Sequence, residues 1–320
     1  MAENSSIECT DHTWSPWEGC TKISPACDHC YAARMNGWLK AGSNWGPGAP
    51  RLEYSDEHWK KPIRWAAKAQ NEGTRPKVFP SVCDPFDNEI RPELRARFFD
   101  LIYATQPLTW LLLTKRIGNV QSMLVGPGMP GRMPSNAWLG ATLANREEML
   151  RDGPKLKAVQ ATVRFWSVEP MLGDLGAIPR ELLPDWVICG GESGPKARPM
   201  NVEWARRLRD QCFDAGVPFM FKQWGAWLPV EMPSSEECFA EDGSERQLEG
   251  RRTVAWVERQ GVARLGKQAS GRLLDGIKCR INLIRFHKIP GSPFFSPDDE
   301  AMIRFRDTLT AKGIQTTIRA

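Results

Sequence analysis

Short apolar, β-prone runs recur along the chain between stretches with helical periodicity. The candidate strands are Lys77–Cys83, Thr109–Thr114, Ala137–Thr142, Val163–Val168, Asp185–Gly190 and Pro218–Lys222, each apolar on both faces, as in parallel strands covered on both sides. Between them, Pro92–Thr105 puts Leu94, Phe98, Phe99, Leu101 and Ile102 on one helical face, and Val202–Ala215 is a second amphipathic candidate. Repeated strand–helix alternation predicts a parallel sheet. With a further strand around Ile7–Thr10, the predicted fold is α/β, an open or incomplete TIM-like barrel, whose active site would gather at the C-terminal ends of its strands.

Polar and charged groups follow the apolar runs at five of these ends: Asp84; Thr114, Lys115 and Arg116; Ser167 and Glu169; Gly190-Gly-Glu-Ser-Gly194; and Lys222, Gln223 and Trp224. They read either as the lining of one pocket or simply as the points where strands stop. In the Gly190–Gly194 turn, Gly190 and Gly191 would allow close backbone approach. Free N–H groups there would bind a carboxylate or phosphate, and Glu192 would hold an ammonium group. Gly190, Gly191, Glu192 and Ser193 are thus candidate ligand contacts, with Asp84, Lys115, Glu169, Lys222 and Gln223 around them.

At 320 residues the chain can bury a barrel-sized core or two smaller ones. The N-terminus has no basic stretch followed by an apolar core, and the longest apolar runs are too short to cross a bilayer. The expectation is a cytoplasmic protein with no membrane partner. The formal charge of +5 is unevenly placed: residues 277–320 carry 8 Lys/Arg against 4 Asp/Glu, and residues 1–276 carry 35 against 34. The body is therefore not a broadly basic nucleic-acid binder. All 14 tryptophans precede residue 277; their rings serve either core packing or stacking on bases.

Cys20, Cys27 and Cys30 form a C-x6-C-x2-C run. Three is odd for disulfides, and without a secretory signal a reducing compartment is expected. Thiolates select zinc or iron–sulfur clusters, and a cluster normally takes four cysteines, so three would leave one iron open for chemistry. Zinc with His12 or His29 as fourth ligand is the rival. Cys9, Cys83, Cys189, Cys212, Cys238 and Cys279 are isolated and read mostly as small buried residues.

The blocks Gly19–Ala32, Leu112–Arg116, Trp138–Gly140, Ser167–Gly173, Asp185–Met200 and Val217–Gly225 resemble, in order, the phage-type three-Cys-motif proteins, a family related to radical S-adenosylmethionine enzymes. The resemblance runs from about residue 7 to 276. It implies a partial barrel of the radical-SAM type, a 4Fe-4S cluster on Cys20, Cys27 and Cys30, and S-adenosyl-L-methionine on the open iron. It further implies an external electron donor and a family-associated three-Cys-motif partner protein. The substrate, a nucleic acid or nucleotide by phage association, is not specified. The usual radical-SAM spacing is C-x3-C-x2-C with an aromatic residue before the third cysteine; here the first gap is six residues, His29 precedes Cys30, and Tyr31 follows it.

The tail, Cys279–Pro297 with Arg304–Asp307 and Gly313–Ala320, is similar to the C-terminal part of radical-SAM adenine-C2 methyltransferases of 23S ribosomal and transfer RNA. Those enzymes' own cluster motif is absent from the body. The expected organisation is a partial barrel over 1–276 and a strand–helix appendage over 277–320, joined by fusion or frameshift, with Ile281–Ile284 as strand and 298–312 as helix. Three functions follow: an S-adenosylmethionine-cleaving iron–sulfur enzyme, a zinc-stabilised nucleic-acid-binding protein, or, from the tail alone, an RNA methyltransferase.

Overall fold

The computed structural model describes residues 2–40 and 43–229, and beyond them 246–248, 252–257, 260–264, 267–270, 272, 274–275, 281–284 and 316–319. Strand β1 (His12–Thr13) leads into a short hairpin, β2 (Trp17–Glu18) with β3 (Leu52–Glu53), that encloses the cysteine loop and helix α1 (Tyr31–Lys40). After α2 (Asp56–Glu72) comes the alternation expected from the sequence. It runs β4 (Lys77–Phe79), α3 (Pro92–Ala104), β5 (Thr109–Thr114), α4 (Val120–Leu124), β6 (Ala137–Thr142), α5 (Arg146–Ala158), β7 (Arg164–Val168), β8 (Trp186–Gly190), α6 (Val202–Ala215) and β9 (Phe219–Gln223).

Seven of these strands form one parallel sheet in the order β1-β4-β5-β6-β7-β8-β9. Side chains alternate across it. Trp110, Leu112, Leu139, Ala141, Trp166, Val168, Val187 and Phe221 point to the main core, where α2, α3, α5 and α6 cover the sheet. The other face carries a smaller cluster of Leu111, Phe165 and Ile188, with Cys9, Phe79 and Trp186 packed against it. Cys9, ahead of β1, lies close enough to Lys222 of β9 to feel its charge, and Arg272 bonds Glu8 at 2.7 Å. The sheet is therefore curled, with β1 and β9 as unpaired edges facing each other across side chains.

Helix ends are set locally. Asn145 and Asn201 cap α5 and α6 by accepting the N–H groups of Glu148 and Glu203, and Gly216 closes α6 at φ 76°. Among the described residues nine tryptophans, Trp14, Trp110 and Trp166 included, are buried, so packing accounts for most of the tryptophan content. Trp38, 86% exposed, is the clear exception among the described residues.

Past β9, strands β10 (Trp227–Pro229), β11 (Arg246–Leu248), β12 (Arg252–Val257) and β13 (Gln260–Arg264) form an antiparallel sheet, followed by the short helix α7 (Lys267–Ser270). β14 (Ile281–Ile284), expected from the sequence, pairs in parallel with β15 (Thr316–Arg319) in a separate two-stranded sheet. The helix expected over 298–312 lies outside the described residues. The first strand falls at His12–Thr13 rather than at Ile7–Thr10; Thr10 instead donates its hydroxyl to the carbonyls of His12 and Lys77, at 2.9 Å each, next to the pairing of β1 with β4.

Candidate functional site

A cavity of about 330 Å³ opens on the concave face at the C-terminal ends of the strands, within the size range of small-ligand sites. Cys20, Cys27 and Cys30 line it, as do Asp84, Lys115, Glu169, Gly191, Glu192, Ser193, Lys222 and Gln223. Gly190 alone of the candidate ligand contacts does not; a Cβ there would meet Gln223 O and Glu169 Oε1 at 3.3 Å, so its bareness admits the Glu169 carboxylate. The floor is set one layer down: Gly140 and Phe165 face each other in register, and a Cβ on Gly140 would sit 2.2 Å from the Phe165 ring.

The cysteine loop begins at Gly19, whose φ of 125° and 2.2 Å Cβ distance to Asn44 O exclude a side chain. Three groups hold the loop over the cavity. Arg116, buried at the end of β5, donates through Nη2 to Thr21 O at 2.6 Å and through Nη1 to Cys20 Sγ at 3.4 Å. Glu148 of α5 accepts the Ser24 hydroxyl at 2.6 Å. Arg198 donates to Pro25 O at 2.8 Å and pairs with Asp28 at 3.3 Å. Burial pushes the Cys20 thiol up to about 12; Asp84 adds to this, and Arg116 opposes it. Without a bound cation, Cys20 therefore keeps its proton at neutral pH.

Glu192 does not face the cavity with a free carboxylate. It takes Arg198 Nη2 at 2.6 Å, Nε at 2.9 Å and the backbone N–H at 2.7 Å, and His29 Nδ1 at 3.0 Å. Burial works against its charge, but the bonds from Arg198 and His29 outweigh it and hold the carboxyl below its ordinary range. The glycine turn is likewise committed: Gly191 donates its N–H to Gln223 O, and Ala226 donates to Glu192 O, both at 2.9 Å. A Cβ on Gly191 would lie 2.0 Å from Trp224 O. The close approach expected of these glycines is to the chain after β9, and the Gly191 N–H is not free for an anion.

Asp84 is saturated by Thr114 Oγ1, the backbone N–H groups of Phe86 and Lys115, and Arg116, so it organises two strand ends. Glu169 accepts Lys222 Nζ at 2.7 Å and Gln223 Nε2 at 2.8 Å, and Gln223 reaches Ser193 Oγ at 3.1 Å. Burial opposes charge on Lys222, yet the paired Glu169 carboxylate holds its ammonium above the usual lysine range. Sequence reasoning named neither Arg198 nor Glu148, and noted Arg116 only as a strand-end residue. An arginine six residues after Glu192, in a proline-flanked loop, carries no local signal of the contact.

No three Cys, His, Asp or Glu side chains among the described residues come close enough together to hold one metal ion. His12 stacks on Trp65 at 4.4 Å, accepts the Asn4 N–H and does not line the cavity, whereas His29 lines it and bonds Glu192 through Nδ1, which leaves its Nε2 free of that bond. The three thiols line one cavity without forming, among the described residues, a group that would hold a metal ion.

The family model described as "Protein of unknown function (DUF5131)" matches residues 4–281. Short stretches match curated relatives. The probable dual-specificity RNA methyltransferase RlmN of Bacteroides thetaiotaomicron is 57% identical over 49 residues, 15% of this chain and 14% of its own length. That of Parabacteroides distasonis is 53% identical over 53 residues, 17% and 16%. The chain thus spans a small part of the relatives it matches. Among solved structures, a mutant of spore photoproduct lyase with bound AdoMet and dinucleoside spore photoproduct aligns with 99% of this chain and 78% of its own, at 10% identity and a TM-score of 0.40.

Proposed function

The chain belongs to the DUF5131 family, and from that premise we propose that it is a radical-SAM-type iron–sulfur protein of the three-Cys-motif kind. The observation that carries this reading is the opening of Cys20, Cys27 and Cys30 onto one cavity at the C-terminal ends of a curled parallel sheet. Those three residues would hold a 4Fe-4S cluster. The chemistry such a group supplies when bound is one-electron reduction of S-adenosylmethionine, with the electron from an external donor.

The chain's own part is to hold and shield. Arg116, Glu148 and Arg198 fix the loop from three directions, and Arg116 presents positive charge to Cys20, which favours a thiolate there. Glu192 acts on the loop through His29 and Arg198, so it positions cysteines rather than gripping the cofactor. Glu169, Lys222, Gln223 and Ser193 form a connected polar wall for the cofactor or substrate.

In this reading residues 1–276 are the working body, 277–320 are an appendage, and the protein is cytoplasmic. Among the described residues no helix is long and apolar enough to cross a membrane. The substrate class proposed is a nucleic acid or nucleotide, and a three-Cys-motif protein is a proposed partner. RNA methylation is not part of the proposal, because the likeness to those enzymes covers so little of their length.

The test is anaerobic reconstitution of the full chain. About four irons and four sulfides per chain are expected from the cluster type, with reductive cleavage of S-adenosylmethionine. One zinc and no iron, or undiminished iron after joint replacement of Cys20, Cys27 and Cys30 by Ala, would overturn it.

A further inference from the structure

Every carboxylate on the cavity wall is already paired: Glu8 with Arg272, Asp84 with Arg116, Glu169 with Lys222, and Glu192 with Arg198. The cations are not all matched in return. Lys115 and Lys267 line the cavity without an ion pair or side-chain hydrogen bond among the described residues. Partial desolvation and then the Lys222 charge hold Lys267 below the usual lysine range, consistent with a site short of negative charge.

The floor adds a second, independent shortage. Thr142 and Ser167 are register partners on β6 and β7, on the concave face, 3% and 5% exposed. Thr142 Oγ1 is buried with no hydrogen-bond partner, and the Ser167 side chain, which lines the cavity, makes no hydrogen bond among the described residues. A buried hydroxyl without a partner, such as that of Thr142, is uncommon and calls for a ligand or solvent. β5 pairs with β6 through Thr114 and Ala141, so Lys115 leaves the sheet beside Thr142. Three adjacent strand ends thus carry an unpaired ammonium and two unpaired hydroxyls, all lining one cavity.

We propose that Lys115, Thr142 and Ser167 form a shelf that binds an oxyanion, a phosphate or carboxylate borne by the ligand of this cavity. The ammonium supplies charge, and the two O–H groups donate to anionic oxygens. The shelf rests on the reading above only for the identity of the cavity; it uses no cysteine. Its oxyanion has two sources, a phosphate of the substrate or the carboxylate of S-adenosylmethionine, and binding separates them.

The experiment titrates the anaerobically purified full-length chain with inorganic pyrophosphate and, separately, with S-adenosylmethionine, by calorimetry. Lys115→Met should weaken binding at least tenfold, and Thr142→Val and Ser167→Ala roughly fivefold to tenfold each. Thr142→Val is also the folding control: it removes an unpartnered hydroxyl without changing shape, so the ligand-free variant should melt no lower than wild type. Loss confined to pyrophosphate assigns the shelf to a substrate phosphate; loss confined to S-adenosylmethionine assigns it to that carboxylate; loss of both shows it serves either. A wild-type chain that binds neither probe, or three variants that bind like wild type, overturns the proposal. Joint replacement of the three cysteines should leave pyrophosphate binding intact, so a failure of the cluster reading is seen separately from a failure of the shelf.

Discussion

Arg116 Nη1 lies 3.4 Å from Cys20 Sγ and 3.2 Å from Asp84 Oδ2, so one buried guanidinium joins the first cysteine of the loop to a strand end. Arg116→Met would leave Asp84 buried without its cation, and removing one member of such a pair costs about 3–5 kcal/mol. We expect a melting temperature lowered by several degrees and reduced iron uptake on reconstitution. Arg116→Lys should recover part of the stability but less of the iron, because a single ammonium cannot replace the fork that also reaches Thr21 O. Calorimetric unfolding with iron analysis checks both.

Glu192→Gln should destabilise the fold by about 2 kcal/mol, the scale of hydrogen bonds to a charged group. The carboxyl's folded-state pKa is depressed, so its contribution is fully present above the unfolded value of ~4.3 and is lost as pH falls through the lower folded value. Wild type and variant should therefore differ at pH 7 and converge under strong acid. Urea unfolding at both pH values reads this; a gap that widens on acidification would contradict the clamp.

Gly191→Ala should be far more damaging than its size suggests. The added methyl would lie 2.0 Å from Trp224 O, a backbone atom held by the bond between Ala226 N and Glu192 O. Overpacking of this kind costs about 1–3 kcal/mol or more. Reduced soluble yield and a lower melting temperature are expected, measured beside Gly131→Ala, where a Cβ meets nothing within 4 Å but φ is 75°; that control isolates backbone strain from collision.

Gly140→Ala should act on the cavity itself. The methyl would meet the Phe165 ring at 2.2 Å, so the ring would have to shift. We expect about 1–3 kcal/mol of destabilisation together with weaker ligand binding by calorimetry, while a pairing with Phe165→Leu should restore part of both.

Truncation after Gly276 should leave a soluble chain with unchanged iron content and a melting temperature within a few degrees. Among the described residues β14 pairs only with β15, while Arg272 to Glu8 and Asp275 to Arg206 and Arg209 are retained. Aggregation of the truncated chain would show the tail to be integral.

Much of the sheet was legible because buried parallel strands are continuous apolar runs: Thr109–Thr114 and Ala137–Thr142 fall on the expected residues. α2 and α5 were not, since Pro62 and Pro154 sit inside them and read as breaks. The strand-end rule gathered the cavity's residues, and the three cysteines line the same cavity. What it could not give was direction. Glu192 and Asp84 look like ligand groups in a linear chain, and only the fold reveals that Arg198 and Arg116 consume them. Thr142 and Ser167 carried the converse signal, an absence of partners that no sequence displays.

The two sides of the curled sheet are built from different materials. Its back is a continuous backbone ladder, whereas beside β1 the chain is tied by side chains such as Glu8 with Arg272, which are 30% and 37% exposed. Ion pairs that open to water contribute on the order of 1 kcal/mol or less. Among the described residues the seam is thus closed by side chains alone, and it carries far less of the sheet's stability than the ladder behind it.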